Sequence, residues 1–326
     1  MVTKSNKQHT LGIVLLSLTA IFWGAGFVLN AQLRAASFAE TPAMLNAVRF
    51  VGSALVLLVI FAKKLKFNKK TLLFGSLGGV MLFAGFQLQL VGLGYTTPAH
   101  CGFFTAAYIV FVPFMSWIAY KKRPEWVVFV GVVLAIVGLI ILNLNGGEQK
   151  GSNVWLGDLL TLGGALMFAL QIVWGDYALK KDVDYANLTF WQVTFAGILF
   201  VLYSLIFESK SYDIADFDVS YCWWRLLIVV LGGTAFAYFS QTYAQRHLSP
   251  TETSLLLACE SPIGMVISII IGMDSVTWTI FVGGALVIAA VILVEVVPLL
   301  IAKRKRTAIT QAEEPPTPRT DDSKEE

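Results

Sequence analysis

The sequence predicts an all-α integral membrane protein of ten transmembrane helices, arranged as two inverted five-helix repeats. Four observations carry this reading. Of 326 residues, 56% are hydrophobic and only 14% charged, with a mean hydropathy of +0.71; soluble domains run at about 45–50% apolar and about 25% charged. Apolar runs long enough to cross a bilayer occur ten times. The second five runs resemble the first five, and Lys and Arg collect on alternate loops.

The first run, "LGIVLLSLTAIFWGAGFVLN", follows Lys4 and Lys7 as the core of a signal peptide would. It has no A-x-A-like cleavage site and further apolar runs follow it, so it reads as the first span. Spans are expected near 11–31, 42–62, 71–94, 98–120 and 125–145, then near 155–178, 186–207, 223–245, 250–272 and 276–301. Each approaches the roughly 17–25 residues a bilayer requires. The first repeat is therefore 11–145, the linker 146–154 and the second repeat 155–301. The Pro-, Glu- and Asp-rich tail 302–326 is expected to be disordered.

Loops on the side of the N-terminus carry Lys4, Lys7, "KKLKFNKK", "KKR" at 121–123, Lys180, Lys181, Arg246 and "KRKR" at 303–306. The opposite side carries only Arg34, Lys150, Lys210 and Arg225. The positive-inside rule then places both termini and the tail in the cytoplasm. "LGIVLLSLTAIFWGAGFV" from Leu11 lies over "LGDLLTLGGALMFALQIV" from Leu156. "YTTPAHCGFFTAAYIVFVP" resembles "HLSPTETSLLLACESP", and "GVVLAIVGLIIL" at 131–142 matches "GGALVIAAVILV" at 283–294. An odd number of spans per copy makes the second copy enter from the opposite face, an arrangement typical of secondary transporters with a central site.

Polar side chains in a bilayer prefer the bundle interior or a wet cavity. In the first span Thr19, Trp23, Gly26 and Asn30 share one helix face. Pro42, Asn46, Arg49 and Ser53 repeat that spacing in the second span, and Thr234, Tyr238, Gln241 and Gln245 in the eighth. The sixth offers Phe168, Gln171 and Trp174, and the third offers Gln87. Taken singly, such residues serve as helix–helix glue, worth about 0.6–2 kcal/mol per interhelical hydrogen bond. Taken together, they predict a partly wet central pathway. Trp23, Gln87, Tyr108, Gln171, Trp174, Tyr238 and Gln241 are the candidate solute-binding residues. The Gly- and Ala-rich fifth and tenth spans read as structural.

Two charges lie within spans. Glu260, at the middle of "TSLLLACESPIGMVISIIIG", costs roughly 3 kcal/mol on insertion scales. Pro262 removes a backbone donor, so a kink is expected near residue 258. The acid is a candidate proton carrier, a contact for a cationic solute, or a partner for Arg49. Arg49 in turn can neutralise a carboxylate, snorkel, or hold the second helix. Cys101, Cys222 and Cys259 form no CxxC pair, and His9, His100 and His247 pair with no acid at motif spacing. No metal or other cofactor is expected.

"FWGAGF" in the first span, "NAVRF" in the second, "GLGYTTPAHCGFFTAAYIVFVPFMSW" with its "GVVLAIVGLIIL" sequel, and "SLLLACESPIG" resemble the drug/metabolite transporter superfamily, in the form with two EamA-type repeats. The resemblance covers about residues 11–300. It implies an alternating-access carrier of the bacterial inner membrane with a cavity between the repeats. Arg49 and Glu260 match positions where many relatives carry the same types. The acid that often ends the fourth helix is replaced here by "YKKRPEW", and Asp274 stands near its second-half counterpart.

The expected function is a secondary transporter exporting a small organic metabolite or amino acid, with aromatic and amide residues suited to an aromatic or amphipathic solute. The alternative is an efflux carrier for cationic drugs or toxic compounds. A membrane-embedded enzyme would need a His/Asp/Glu constellation that is lacking, and 302–326 is short for a signalling domain. No GxxxxGK[ST] occurs, so ATP hydrolysis through a P-loop is not expected. The expected partners are a small-molecule solute and membrane lipid, not nucleic acid, in the inner or plasma membrane. Proton coupling, and a monomeric or homodimeric state, stay open at this level.

Overall fold

The structure is a computed structural model that describes residues 2–96, 98–144, 154–212, 218–272, 276–279, 281–294 and 297. The linker at 145–153, Asp274, the tail and the side chain of His100 lie outside the described residues. The described chain is all-α and contains no strand. Eight helical segments are long and apolar enough to cross a membrane, and two shorter apolar helices, Trp126–Ile141 and Phe281–Val294, bring the number to ten.

The first three spans are α1 (Val2–Ser37), α2 (Pro42–Phe61) and α3 (Lys69–Gly92). The fourth is broken into α4 (Pro98–Ala106) and α5 (Tyr108–Tyr120), and α6 (Trp126–Asn143) follows. Then come α7 (Val154–Lys180) and α8 (Tyr185–Tyr203). The eighth span is α9 (Val219–Val230) and α10 (Ala237–Ala244), joined by a π-helical turn at Leu231–Phe236. The ninth is α11 (Pro250–Leu257) and α12 (Glu260–Ile270), and the last is α13 (Phe281–Val294).

Local chemistry sets several starts. Asn68 accepts from the Thr71 N–H, Asp184 from those of Ala186 and Asn187, and Ser249 with Glu252 forms a full capping box. These bonds satisfy N-terminal donors that a helix cannot pair internally.

The spans at 98–120 and 250–272 are not the continuous helices expected of them. The expected kink in the ninth span is a full break at Ala258–Cys259. Pro262 supplies no N–H, and the Ala258 carbonyl accepts instead from Ser261 N–H at 3.2 Å. The break at Ala107 in the fourth span was not expected. There the Ala107 and Val110 amides bond three residues back, to Phe104 and Ala107, one turn before Pro113.

α1 packs on α9, α10 and α12, α3 on α7 and α8, and α2 on α8, so the two halves interleave. The outer surface is apolar: Val59, Ile118 and Ile270 are each more than 75% exposed, while Arg49, Glu260 and the interior glutamines are buried. That inversion suits lipid rather than water as solvent. The small residues of α6 and α13 meet as expected. A Cβ on Gly138 would stand 2.7 Å from the Gly283 carbonyl, and one on Gly131 would stand 2.4 Å from Val294.

Candidate functional site

The helix breaks bring the site together. Tyr108 opens α5 and Glu260 opens α12, and the Tyr108 hydroxyl donates to Glu260 Oε1 at 3.1 Å. Placed at a helix N-terminus, the acid faces the positive end of the α12 dipole. Gly24 makes this possible from the other side: a Cβ there would stand 2.7 Å from the Glu260 carbonyl and 2.8 Å from Gly264 N. Only a glycine pair lets α1 and α12 approach so closely.

Arg49 sits on α2 and is equally buried. Its Nε donates to Thr234 Oγ1 at 2.5 Å and its Nη2 to the Gly233 carbonyl at 3.0 Å, while the guanidinium lies over the Phe86 ring at 4.4 Å. The acceptors are products of the π turn. Thr234 Oγ1 takes the freed Val229 carbonyl and Ser53 Oγ takes that of Val230. Gly233 also accepts from Trp23 Nε1 at 2.9 Å. Gly232 permits the turn to meet α1, since a Cβ there would collide with Phe22 at 2.3 Å. Such bulges recur at functional sites. Arg49 thus spends its donors on the eighth span and forms no ion pair with Glu260. A direct Arg49–Glu260 pair, one of the arrangements considered from sequence, is not formed in this structure.

Both charges border one internal cavity, together with Trp23, Tyr108, Gln171, Tyr238 and Gln241. The space open to the centre of a water-sized sphere is about 40 Å³, and one water needs about 10–15 Å³ by that measure. By that measure the cavity has room for about three waters, less than a small organic solute needs.

Seven of the nine residues singled out from sequence border this cavity. Gln87 and Trp174 do not. Trp174 donates from Nε1 to the Phe74 carbonyl at 2.9 Å and stacks on that ring. Being six positions after Phe168, it is turned about 120° away from the lining face. Gln87 is buried with its Oε1 unpaired, and its neighbours Phe86 and Gln89 face the cavity instead. The signal that finds them is the repeat. Phe86 and Tyr238, Gln89 and Gln241, and Tyr108 and Glu260 are each separated by the same 152 residues. Trp23 with Phe168, Gly26 with Gln171 and Phe27 with Ile172 keep the offset of 145 that places Leu11 over Leu156. All twelve line the cavity.

A model of the EamA-like transporter family matches residues 10–144 and again 155–296. An uncharacterized transporter of Archaeoglobus fulgidus is 29% identical over 279 residues, covering 86% of this chain and 84% of its own. The uncharacterized transporter YetK of Bacillus subtilis is 27% identical over 82% of this chain and 81% of its own. A protein of known crystal structure superposes with a TM-score of 0.70 at 15% identity, over 90% of this chain and 98% of that one. At that identity the likeness speaks for the fold alone.

Proposed function

Since the chain belongs to the EamA-like transporter family, we propose that it is an alternating-access secondary transporter of the cell membrane, exporting a small organic metabolite or amino acid through the central cavity. The repeats at 11–145 and 155–301 enter the membrane in opposite senses, with both termini in the cytoplasm. The observation that carries this reading is the Tyr108–Glu260 bond. It joins corresponding positions of the two halves at two helix breaks, beside a cavity too small for its cargo in this state. Such a cavity fits a cycle in which the halves part on one side and then on the other. Glu260 is the residue whose charge couples the cycle to protons, because it is a buried acid without a cationic partner beside it.

Solute counterflow in proteoliposomes tests the reading. Trp23→Ala, Gln171→Ala and Tyr238→Ala should each impair exchange while the protein stays folded and inserted. Unchanged exchange in all three overturns the cavity assignment. Glu260→Gln should exchange solute at a rate that no longer responds to pH, and a retained pH response removes the coupling role.

A further inference from the structure

The connection from α2 into α3, "KKLKFNKK" at 63–70, holds five lysines and no acid. All five lysines are exposed, and so is Phe67, at 74%. The backbone beneath them is fixed. Asn187, buried on α8, accepts from Lys66 N–H at 2.6 Å and donates from Nδ2 to the Lys64 carbonyl at 3.1 Å. Trp191 Nε1 donates to the Lys66 carbonyl at 3.3 Å, and the Phe67 ring meets the Trp191 ring edge-on at 5.0 Å. Leu65, between them, packs against the core.

The lysines have no acid against them. Lys180 pairs with Asp176 at 2.6 Å, but none of these five forms an ion pair among the described residues. Asp184 reaches the loop only through Asn187: its Oδ2 accepts from that Nδ2 and from the Ala186 and Asn187 amides. Lys69 and Lys70 also open α3, whose first turn holds no acid. Cations there oppose the positive end of the helix dipole, so an anion relieves the lysines and the helix start together. The repeat does not demand such a cluster. The corresponding connection of the second half, 204–218, carries Glu208, Asp213, Asp216 and Asp218 against a single Lys210. Depth points to lipid as the source of the anion. Val59 and Ile60, just before the loop, are 81% and 63% exposed on the apolar outer surface, and Phe67 offers an aromatic ring at the membrane boundary.

We propose that residues 63–70 are a binding surface for the headgroup of an anionic phospholipid, in the leaflet on the side of the N-terminus. The lysines take the phosphate and Phe67 enters the boundary between headgroups and acyl chains. Asn187 holds the loop in the shape that presents them. Basic clusters beside a span recognise anionic lipid, each lysine adding about fivefold in affinity. A loop already clamped to α8 loses little further freedom on binding. None of its residues lines the central cavity, so the surface stands independently of the solute.

The test is native mass spectrometry of the full chain in detergent, titrated with dioleoyl-phosphatidylglycerol or with dioleoyl-phosphatidylcholine, which has the same acyl chains. The wild type should bind the anionic lipid about tenfold more tightly. Lys63→Gln, Lys64→Gln, Lys66→Gln, Lys69→Gln and Lys70→Gln together should bring that ratio below about twofold. Lys121→Gln, Lys122→Gln and Arg123→Gln, in another loop of the same side, should leave it near the wild-type value. Asn187→Ala keeps every charge but frees the loop, and should lower the ratio about threefold. A wild type without preference, an unchanged ratio in the five-lysine variant or in Asn187→Ala, or equal losses in the two charge variants overturns the proposal. Should Asn187→Ala fail to fold, the charge variants still decide it. Two further results would give the surface to another occupant and overturn the lipid. One is displacement of the lipid by micromolar glycerol phosphate, a soluble anion. The other is a gain of about tenfold in lipid affinity when the acidic tail is neutralised by Asp321→Asn, Asp322→Asn, Glu325→Gln and Glu326→Gln.

Discussion

Tyr108 and Glu260 hold the same station in the two halves: each stands ten residues beyond a helix-opening proline, Pro98 or Pro250, and one donates to the other at 3.1 Å. The two helix breaks therefore meet at a hydrogen bond. The pair is asymmetric in chemistry, a phenol facing an acid, although its positions are equivalent in sequence.

Removing the phenol tests how far this bond holds the breaks together. Tyr108→Phe leaves Glu260 Oε1 buried without its donor, a loss of about 1–3 kcal/mol. Glu260→Gln keeps an oxygen for the phenol to donate to and should cost less. In the double variant the two losses should fall short of adding, with a coupling above about 0.5 kcal/mol. Thermal unfolding of the four proteins in one detergent measures it, and strict additivity would show the bond to be incidental.

Gly24 and Gly26, two residues apart and so on nearly opposite faces of α1, should respond differently to substitution. Gly24→Ala pushes a methyl to within 2.7 Å of the Glu260 carbonyl, where backbone must give. Overpacking of this kind costs about 1–3 kcal/mol. Gly26→Ala meets nothing closer than Asn30 Nδ2 at 3.9 Å, so stability should hold within about 0.5 kcal/mol. Gly26 lines the cavity, however, so its variant should lose transport while keeping its melting temperature. Equal melting temperatures for the two variants would contradict the close approach of α1 and α12.

The contrast shows what was legible in the sequence and what was not. The number of spans, their order and the polar faces of α1 and α10 could be read directly, because lipid outside and polar groups inside leave a helical period. Phe86 and Gln89 escaped notice because α3 carries amides at both 87 and 89, and one polar residue per turn does not define a face. The repeat offset would have chosen Gln89, as the counterpart of Gln241. The π turn at Leu231–Phe236, which supplies the acceptors for Arg49, left only the Gly232–Gly233 pair as a sign. Trp174 shows the opposite error: a polar aromatic near a lining stripe whose N–H is already taken by Phe74. Periodicity locates a face but does not say which side chains on it have partners.

Arg49 should not tolerate its usual conservative replacement. Arg49→Lys keeps the charge but cannot reach Thr234 and Gly233 from one planar group lying over Phe86. Breaking such a buried cation from its acceptors costs about 3–5 kcal/mol. Thr234→Val removes one acceptor of the two and should cost about 1–3 kcal/mol. The expected order of melting temperatures is wild type, then Thr234→Val, then Arg49→Lys. Near-wild-type stability of Arg49→Lys would mean that charge alone, and not the bond geometry, matters at this position.

The last expectation concerns how α2, which bears Arg49, is held at its start. Thr41 stands at the N-cap but makes no capping bond, and Pro42 follows it. The cap comes from another helix. Glu208, buried in the π turn Ser204–Glu208 that follows α8, accepts from Ala43 N–H at 2.8 Å and Met44 N–H at 2.9 Å. Ser204 Oγ donates to the same carboxylate at 2.8 Å. A carboxylate at this end is favoured by the helix dipole as well as by the bonds. Glu208→Ala strands the buried Ala43 amide and the half-buried Met44 amide and should lower stability by about 2–4 kcal/mol, the upper end reflecting the charge. Glu208→Gln retains one acceptor but turns an N–H₂ towards an N–H, so it should recover less than half of that loss. Amide exchange at Ala43 and Met44, followed by mass spectrometry, should accelerate in both variants while exchange in α12 stays unchanged. Exchange at these two amides that matches wild type would show that α2 is held by its packing on α8 and that the trans cap contributes nothing.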